Sequence, residues 1–372
     1  MTEPWYGRFV RPQLARSDPY DATHHDYAWR RPHLERLMSN ELPIPPDEGV
    51  LESIRKVLPT LHRYPDSGQE LRSALASFVG VPPASVILGN GSTEIIDVAT
   101  RVFVGDGDEA IIPIPTYPFF ETQVRLSGGR AVQVPLLPGW RLDLPAIRSA
   151  IGERTKMIFL CSPNNPTGNS WSQEEVEEIA SWGRPVLIDQ AYLECGYGPS
   201  FAGLVQDHPN LIVARTMSKG FGLAGLRIGY GIADPSLVEV LLRVRIPFSL
   251  SLVALRAGLA ALRDPSYVER RRAFVARERD EMFARLERLP GVIPYPSDGN
   301  FILIDVSGTG WTSAEIVAQL ERESSILLRA MRAHGLEGAY VRVTIGDSEQ
   351  NARFLEAFSR VVDSAQRVGS ER

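Results

Sequence analysis

The sequence predicts an α/β protein, in which a mainly parallel, doubly wound sheet forms a large domain and a small α+β domain follows it. Between residues 46 and 250, short apolar runs alternate with helical patterns, as in parallel strands joined by crossover helices. After residue 250 the pattern changes to a long charged helix and a few isolated strands. The chain has 372 residues, and single cores stop growing near ~250–300 residues, so two domains are expected.

The strands predicted for the large domain are short β-branched and apolar runs that end at turn residues. In chain order they are Ala110–Ile114, Ala131–Val134, Met157–Cys161, Val186–Ile188, Leu211–Ala214 and Arg227–Ile232. The helices predicted between them are Thr93–Val104, Phe119–Leu126 and Gln173–Trp182. The last of these begins with a capping box, because Ser172 is followed three residues later by Glu175.

The small domain is predicted over residues 251–372, after a large domain over residues 46–250. Its predicted elements are helices and strands in mixed order: Leu252–Leu262, Tyr267–Leu289, Phe301–Asp305, Ala314–Glu321, Tyr340–Ile345 and Asn351–Val362. Residues 1–45 are rich in Pro, Arg, His and aromatic residues and show no clear period. They predict an extended arm that packs on the small domain or on a partner subunit.

Composition excludes several classes of function. The net charge is −5, from 40 Lys and Arg against 45 Asp and Glu, so electrostatics gives no reason to expect nucleic acid or an anionic membrane as a partner. The two cysteines, Cys161 and Cys195, form no disulfide framework. No apolar run approaches the ~20 residues of a membrane span. We therefore expect a soluble, cytoplasmic protein.

Lys219 is the most informative single residue. It is one of three lysines among 40 basic residues, so arginine supplies positive charge almost everywhere else. Lys56 and Lys156 lie in patterns typical of solvated positions, whereas Lys219 lies among hydroxyl groups and glycines in Thr216-Met-Ser-Lys-Gly-Phe-Gly-Leu-Ala-Gly-Leu-Arg227. A desolvated lysine can lose its proton and form a Schiff base, which a guanidinium cannot do. This segment therefore predicts a lysine that reacts with a carbonyl cofactor.

The glycines after Lys219 also spell the dinucleotide pattern G-x-G-x-x-G. That pattern requires a strand before it and a helix after it. Here Leu226–Ile232 follows, and its β-formers and paired glycines predict a strand. The context therefore argues against a nicotinamide cofactor. Thr216, Ser218 and Arg227 instead provide two hydroxyls and a guanidinium that can hold a phosphate beside the amine.

Other polar residues follow predicted strands, where ligands bind in open parallel sheets. Asp189 ends the strand before Tyr192, and a carboxylate there can pair with a pyridinium nitrogen; the alternative is a helix N-cap. Asn165 lies in the rigid turn Ser-Pro-Asn-Asn-Pro-Thr-Gly, a motif that by itself more often indicates a turn than a binding site. Tyr117 follows another strand and can stack on a ring or simply fill the core. Gly91, Ser92 and Thr93 open a helix whose free N–H groups suit a phosphate.

Motifs for other chemistries are absent from the sequence. His24-His25 is the only histidine pair, and there is no His-Glu-x-x-His, Cys-x-x-Cys or Gly-x-Ser-x-Gly. We therefore expect no metal site and no serine-hydrolase elbow.

Together and in order, NGSTE, PTY, SPNNPTG, DQAY, TMSKGFGLAGLRIGY and YVRVTIG resemble the fold-type I, class I/II aminotransferases, which depend on pyridoxal 5′-phosphate (PLP). The histidinol-phosphate aminotransferase branch is the most similar, since Ser39-Asn40-Glu41 and Tyr64-Pro65-Asp66 also match it. The resemblance runs from about Arg36 to Phe358.

The resemblance implies roles for the residues singled out above. Lys219 would hold PLP covalently and move the proton at the substrate α-carbon. Asp189 would pair with the pyridine nitrogen, and Tyr117 would stack on the ring. The remaining contacts would be hydrogen bonds to the ring oxygen and to the phosphate, from Asn165, Tyr192, Gly91, Ser92, Thr93, Thr216, Ser218 and Arg227. Tyr64 would reach the phosphate of a neighbouring subunit, which implies a homodimer with composite sites.

The substrate is expected to be an L-amino acid, with a 2-oxo acid as its amino-group partner. Arg342 matches the arginine that grips the α-carboxylate, and Arg329, placed after the apolar strand Ile326–Leu328, matches one toward the distal end of the substrate. The arm departs from the branch, because His24 to Pro32 replaces its Tyr-x-Pro-Gly entry. Residues Tyr27 to Arg31 are expected to close that end of the pocket.

Two alternatives to an aminotransferase of amino-acid biosynthesis stay open. A decarboxylase, lyase or oxidase of specialised metabolism can use the same scaffold, because the bond that breaks depends on which one stands perpendicular to the ring. A PLP-binding regulator without turnover would carry a DNA-binding module, and the short arm and acidic balance supply none.

Overall fold

A seven-stranded sheet lies at the centre of the larger part of the structure, a computed structural model that describes residues 5, 7–11, 14, 22–332 and 335–370, with side chains from residue 365 onward left out. Within these residues the strands are β1 (Glu35–Arg36), β2 (Val86–Asn90), β3 (Glu109–Ile114), β4 (Arg130–Pro135), β5 (Thr155–Cys161), β6 (Val186–Asp189), β7 (Leu211–Thr216), β8 (Ile228–Ile232), β9 (Ile293–Pro294), β10 (Phe301–Asp305), β11 (Ile326–Leu327), β12 (Arg329–Met331) and β13 (Tyr340–Thr344). The α-helices of the same residues are α1 (Thr23–Trp29), α2 (Glu48–Val57), α3 (Gln69–Val79), α4 (Gly91–Phe103), α5 (Phe119–Leu126), α6 (Leu144–Ser149), α7 (Gln173–Ser181), α8 (Pro235–Leu242), α9 (Leu252–Arg263), α10 (Tyr267–Leu286), α11 (Ser313–Ser324) and α12 (Ser348–Ser370).

The large sheet has the order β2-β8-β7-β6-β5-β3-β4. Strands β7, β6, β5, β3 and β4 are parallel, which confirms the predicted mainly parallel α/β sheet. Strand β8 is antiparallel to both of its neighbours, β7 and β2. It returns from β7 through a short loop that contains Lys219, and a connection of that length permits only antiparallel pairing. Strand β2, a five-residue strand that leads directly into α4, was not predicted.

Helices cover both faces of this sheet, as its continuous apolar strands require. On one face α2, α3 and α9 contribute Val50, Leu75 and Leu255 to a core cluster. On the other face α4 and α5 contribute a second cluster that includes Ile96 and Phe120. The predicted capping box of α7 is present, because the Glu175 N–H donates to Ser172 Oγ (3.2 Å) and the Ser172 N–H to the Glu175 carboxylate (2.8 Å).

The smaller sheet has the order β12-β13-β10-β9, with antiparallel pairing throughout. Its core includes residues of α11 and α12, among them Ile316 and Phe358. Because α9 packs against α2 and α3 rather than on this sheet, we propose that the boundary between the domains follows α9 and does not lie at residue 250.

The described part of the arm lies against the smaller sheet. Strand β1 pairs in parallel with β11, and Leu37 is 1% exposed within the smaller core. Ala28 of α1 packs with Leu34, Met38 and Leu327. None of the described helices is both long and apolar enough to cross a membrane.

Candidate active site

Lys219 lies in the loop between β7 and β8, at the carboxyl end of the parallel strands. Its Nζ donates hydrogen bonds to the carbonyl oxygens of Ser39 (3.1 Å) and Asn40 (3.0 Å). Burial and, as a smaller contribution, the nearby Arg342 guanidinium together lower the pKa of Lys219 to about 8. The side chains of Lys56 and Lys156 are 75% and 45% exposed and form ion pairs with acidic neighbours. Lys219 is therefore the lysine whose amine is partly unprotonated near neutral pH.

Asp189 ends β6, between Cys161 of β5 and Ala214 of β7. It is 3% exposed, and burial raises its pKa to about 7, although the Ala191 N–H (3.0 Å from Oδ1) and the charge of Lys219 oppose the shift. Asp189 is not a helix N-cap, because the backbone N–H that donates to its carboxylate is that of Ala191, two residues later, and this hydrogen bond closes a tight turn. A buried carboxylate of this kind gains free energy from a cationic partner, as a protonated ring nitrogen would be.

Tyr192 follows in the same segment and faces the amine. Its hydroxyl oxygen accepts a hydrogen bond from Asn40 Nδ2 (3.0 Å), and its ring centroid is 5.6 Å from Lys219 Nζ. Burial raises the pKa of Tyr192, so the phenol stays protonated and can donate.

No role was predicted for Asn40, although Ser39-Asn40-Glu41 matches the branch. It is 1% exposed, has a positive φ of 54°, and its carbonyl oxygen accepts from both Lys219 Nζ and Asn300 Nδ2 (3.0 Å). An asparagine tolerates this left-handed conformation better than most residues. The positive φ is a property of the fold, so the sequence carried only the presence of the asparagine as a signal.

A narrow cradle forms where α4 begins. Gly91 has a φ of 74°, and a Cβ placed there would lie 2.4 Å from Arg227 Nη2. The Gly91 N–H donates to the Arg227 carbonyl oxygen (2.8 Å), while Ser92, the next residue, is 8% exposed. The first N–H groups of a helix and its dipole attract anions. A guanidinium against the start of a 13-residue helix, on a glycine that leaves room for nothing larger, therefore suits a phosphate group.

The antiparallel placement of β8 explains why these residues meet. Strand β8 lies between β2 and β7, so Asn90 is opposite Ile228 and Thr216 is opposite Gly229. This register brings the start of α4 next to the loop that carries Lys219. A Cβ at Gly229 would lie 2.0 Å from the Gly91 carbonyl carbon, so only glycine permits the approach.

Hydroxyl groups complete this side of the cradle. Arg227 Nη1 donates to Ser218 Oγ (3.1 Å), and the Ser218 N–H donates to Thr216 Oγ1 (3.1 Å). The fold thus brings together five of the residues that were predicted to bind the phosphate: Gly91, Ser92, Thr216, Ser218 and Arg227. Thr93 lies one position further along α4, where its hydroxyl donates to the Asn90 carbonyl oxygen (3.3 Å).

Arg342 joins the two domains at the site. It lies on β13, is 7% exposed, and donates from Nη1 to Asn165 Oδ1 (2.7 Å) and from Nη2 to the Met38 carbonyl oxygen (3.0 Å). Asn165, which is predicted to bind the ring oxygen, and Arg342, which is predicted to bind the α-carboxylate, are therefore in direct contact.

Arg329 is directly opposite Arg342 in the register of β12 and β13. Residues opposite each other in an antiparallel pair share a face of the sheet, so both arginines lie on one face. The expectation that Arg329 ends a strand at Ile326–Leu328 is wrong. It begins β12, because the chain leaves its pairing with the arm after Leu327 and joins β13.

The arm contacts Arg329 through His24, which lies outside the Tyr27 to Arg31 segment that is expected to close the pocket. Tyr27 hydrogen-bonds Glu321 of α11, and the Arg31 guanidinium lies 3.8 Å from the Tyr27 ring centroid. These side chains attach the arm to α11. His24 of the same helix instead contacts Arg329, with 2.7 Å between His24 Nε2 and Arg329 Nη1.

Two predicted aromatic residues pack against other aromatic rings. Tyr117 follows β3 and is half-buried, with its ring 5.7 Å from that of Phe120. Tyr64 is 85% exposed and its ring lies 5.4 Å from that of Phe248. Among the described residues no group of three or more His, Cys, Asp or Glu side chains is arranged to hold a metal ion.

The sheet topology, the desolvated lysine between a buried carboxylate and an anion cradle, and the paired arginines define the class of protein. Residues 32–358 match the family model of aminotransferase class I and II, and the chain belongs to that family. This confirms the predicted family and enzyme class.

The most informative relatives lie in one branch. The chain is 36% identical to the histidinol-phosphate aminotransferase of Methanothermobacter thermautotrophicus over 344 residues, which cover 90% of this chain and 91% of the relative. It is 37% identical over 329 residues to that of Symbiobacterium thermophilum, covering 87% and 89%.

A solved structure agrees with these relatives. The histidinol-phosphate aminotransferase of Sinorhizobium meliloti, in complex with pyridoxal-5′-phosphate, has a TM-score of 0.86 at 27% identity, covering 95% of this chain and 98% of that one. The predicted fold, branch and cofactor agree with these findings.

Proposed function

We propose that the protein is a PLP-dependent aminotransferase that moves an amino group between an L-amino acid with a polar or anionic side chain and a 2-oxo acid. The observation that carries the proposal is the position of Lys219. Its amine is desolvated, has a pKa lowered to about 8, and lies in the loop that also supplies the anion cradle. No other described lysine is placed in this way.

The residues present fit the cofactor. The cradle of Gly91, Ser218 and Arg227 would hold its phosphate, and Asp189 would pair with its ring nitrogen. Tyr192 and Asn165 would bind the ring oxygen. PLP, when bound, withdraws electrons from the bonds at the substrate α-carbon.

The chain's own groups then hold and move protons. Lys219 would accept or return a proton at Nζ, a role for which a pKa near 8 is suited because general bases act best near the working pH. Tyr192, kept neutral by burial, would donate from its hydroxyl. Asn40 would orient both groups, since its side chain binds Tyr192 and its carbonyl oxygen binds Lys219.

Borohydride reduction of the PLP-loaded protein, followed by peptide mapping, tests the lysine. The expected label is on Lys219 alone, and label on Lys56 or Lys156 would overturn the assignment. Amino-group transfer between L-amino acids and 2-oxo acids is then followed by the cofactor's absorbance. Release of CO2 without transfer would favour the decarboxylase alternative.

The paired arginines support the substrate class. Arg342, which is nearly buried and donates from both Nη atoms, would grip the α-carboxylate that every amino acid carries. Arg329, opposite it on the same face, would bind the end of the side chain. Histidinol phosphate, the substrate named for the relatives, is the first compound to test.

The two arginines make separable contributions. We expect Arg342→Ala to weaken the binding of every amino acid alike. We expect Arg329→Ala to change the preference among substrate side chains, because a polar end of the side chain that is left unpaired costs about 1–3 kcal/mol. The steady-state kcat/KM over a panel of amino acids measures both. A uniform loss in Arg329→Ala would show that Arg329 does not select the side chain.

We also propose a homodimer with composite active sites. Tyr64 and Phe248 form an exposed aromatic pair. The pair borders the phosphate cradle, because the carbonyl oxygen of Ser249 accepts from Asn90 Nδ2 (3.1 Å) just before α4. An exposed aromatic surface beside a site is typical of an interface, and the proposed occupant is a second copy of this chain.

A further inference from the structure

Helix α1 of the arm lies over the distal end of the site. His24 and His25 are half-buried on this helix, whereas Asp26 and Tyr27 beyond them are exposed. His24 contacts Arg329. Burial lowers the pKa of His25, Glu41 opposes this shift, and the charges of Arg36, Arg329 and Lys219 lower the pKa further. The helix thus contacts Arg329 and lies within electrostatic range of both Arg329 and Lys219.

The contact between His24 and Arg329 has only one chemically sensible direction. Arginine has five N–H donors, no acceptor, and stays charged. The 2.7 Å approach of Arg329 Nη1 to His24 Nε2 therefore requires a lone pair on Nε2. His24 accepts this hydrogen bond, and it leaves the remaining N–H groups of Arg329 for other acceptors.

The helix is anchored firmly enough to hold His24 in place. Ala28, four residues along, is 1% exposed in a small core cluster with Leu34, Met38 and Leu327. Tyr27 hydrogen-bonds Glu321 of α11. Leu327 is two residues from Arg329, so the support of α1 and the strand that carries Arg329 belong to one packed unit.

We propose that His24 is a positioning residue, which orients the Arg329 guanidinium toward the side chain of the substrate and so sets a preference for side chains that end in an anion. The inference rests on the proposed aminotransferase function. With one Nη held by a neutral imidazole, Arg329 keeps its charge and presents its other donors in a fixed plane, the geometry that a carboxylate or a phosphate accepts in a bidentate manner. Among the described residues Arg329 forms no salt bridge that would compete.

The test compares His24→Leu, which removes the acceptor at similar bulk, with His24→Gln, whose amide oxygen can accept from Arg329. His33→Leu is the matched control, since His33 is an exposed histidine of the same arm. For each PLP-loaded variant, kcat and KM are measured with L-glutamate and O-phospho-L-serine as anionic donors and with L-glutamine as a neutral one. The two anionic donors separate a carboxylate preference from a phosphate preference.

We expect His24→Leu to lower the ratio of kcat/KM for anionic over neutral donors about tenfold, the factor of one hydrogen bond to a charged group. The change should lie in KM, because His24 does not touch the reacting atoms. His24→Gln should restore most of the ratio, and His33→Leu should match the parent protein. An unchanged ratio in His24→Leu, an equal loss for all donors, or a failure of glutamine to rescue would each overturn the proposal.

A binding measurement keeps this result separate from the aminotransferase proposal. Calorimetric titration with glutarate, which has two carboxylates, and with butyrate, which has one, requires no turnover. The expected outcome is that His24→Leu weakens the binding of glutarate about tenfold and leaves the binding of butyrate unchanged. If no amino acid is turned over but glutarate binding still depends on His24, the proposed function fails and the role of His24 stands. Glutarate binding that is independent of His24 would refute the role itself.

Discussion

At the scale of single residues, the pKa values of Asp189 and Lys219 are shifted toward each other. Burial raises the pKa of the carboxyl group to about 7 and lowers that of the amine to about 8. Both shifts have the same cause, because a low-dielectric site disfavours any isolated charge. A ligand that supplies the opposite charge therefore stabilises the charged form of each group, and each group can also exchange a proton with a ligand.

We expect Asp189→Asn to keep the fold and to bind PLP but to lose turnover by about 100-fold or more, since an amide cannot hold a proton on the ring nitrogen. Steady-state kcat and thermal unfolding measure the two effects. Asp305→Asn is the matched control, because Asp305 also ends a strand and its Oδ1 also accepts from the N–H two residues on. Near-normal rates in Asp189→Asn would mean that Asp189 acts only in its turn.

The raised pKa of Asp189 also predicts a pH dependence of stability in the PLP-free protein. The folded state binds this proton more tightly than the unfolded state, so the stabilisation is complete below pH 3.8 and is lost as the pH rises to about 7. The full interval corresponds to about 4 kcal/mol. The free energy of unfolding in urea should therefore fall more between pH 4.5 and 8 in the parent protein than in Asp189→Asn. Parallel pH profiles would contradict the assignment.

At the scale of secondary-structure elements, the decisive feature is β8. Its antiparallel insertion between β2 and β7 places the start of α4 against the loop after β7. Two glycines permit this contact, Gly91 at a positive φ and Gly229 against the backbone of Gly91. The anion cradle is therefore a consequence of strand order.

Gly91→Ala tests the cradle. Its methyl group would meet the Arg227 guanidinium, so we expect the Kd for PLP to rise at least about tenfold, a loss of one charged hydrogen bond or more. Gly80→Ala is the matched control, since Gly80 has a φ of +77° with no atom within 4 Å of a new Cβ. Both variants should lose about 1–2 kcal/mol of stability from backbone strain. Equal PLP affinity in the two variants would show that the cradle does not hold the phosphate.

At the scale of the whole molecule, the site combines both domains and the arm. Arg342 of the smaller sheet binds Asn165 of the larger domain and the carbonyl oxygen of Met38 in the arm. Asn40 links the arm to Tyr192 and Lys219. Any motion of the small domain or the arm will therefore change the candidate substrate site directly.

The proposed dimer is tested by mixing two inactive variants, Tyr64→Ala and Lys219→Ala. If Tyr64 acts across the interface, a heterodimer contains one intact site, and full exchange of subunits restores about a quarter of the parental activity. If Tyr64 acts within its own chain, mixing restores nothing. Tyr197→Ala, which alters another exposed tyrosine, should stay active. A monomer in sedimentation at working concentration would contradict the dimer.

The sequence by itself determined the α/β class, most strands, the choice of Lys219 as the candidate lysine and the strand-end position of Asp189. These are local properties: apolar periodicity, glycine content and the residue types that a chemistry requires. Asn40, the partnership of His24 with Arg329, and the insertion of β8 next to β2 were decided only by the tertiary structure. Each depends on which distant segments become neighbours, such as Asn40 with Tyr192 across 152 positions. Short-range patterns carry no information about such pairings, because their free energy comes from packing the whole chain.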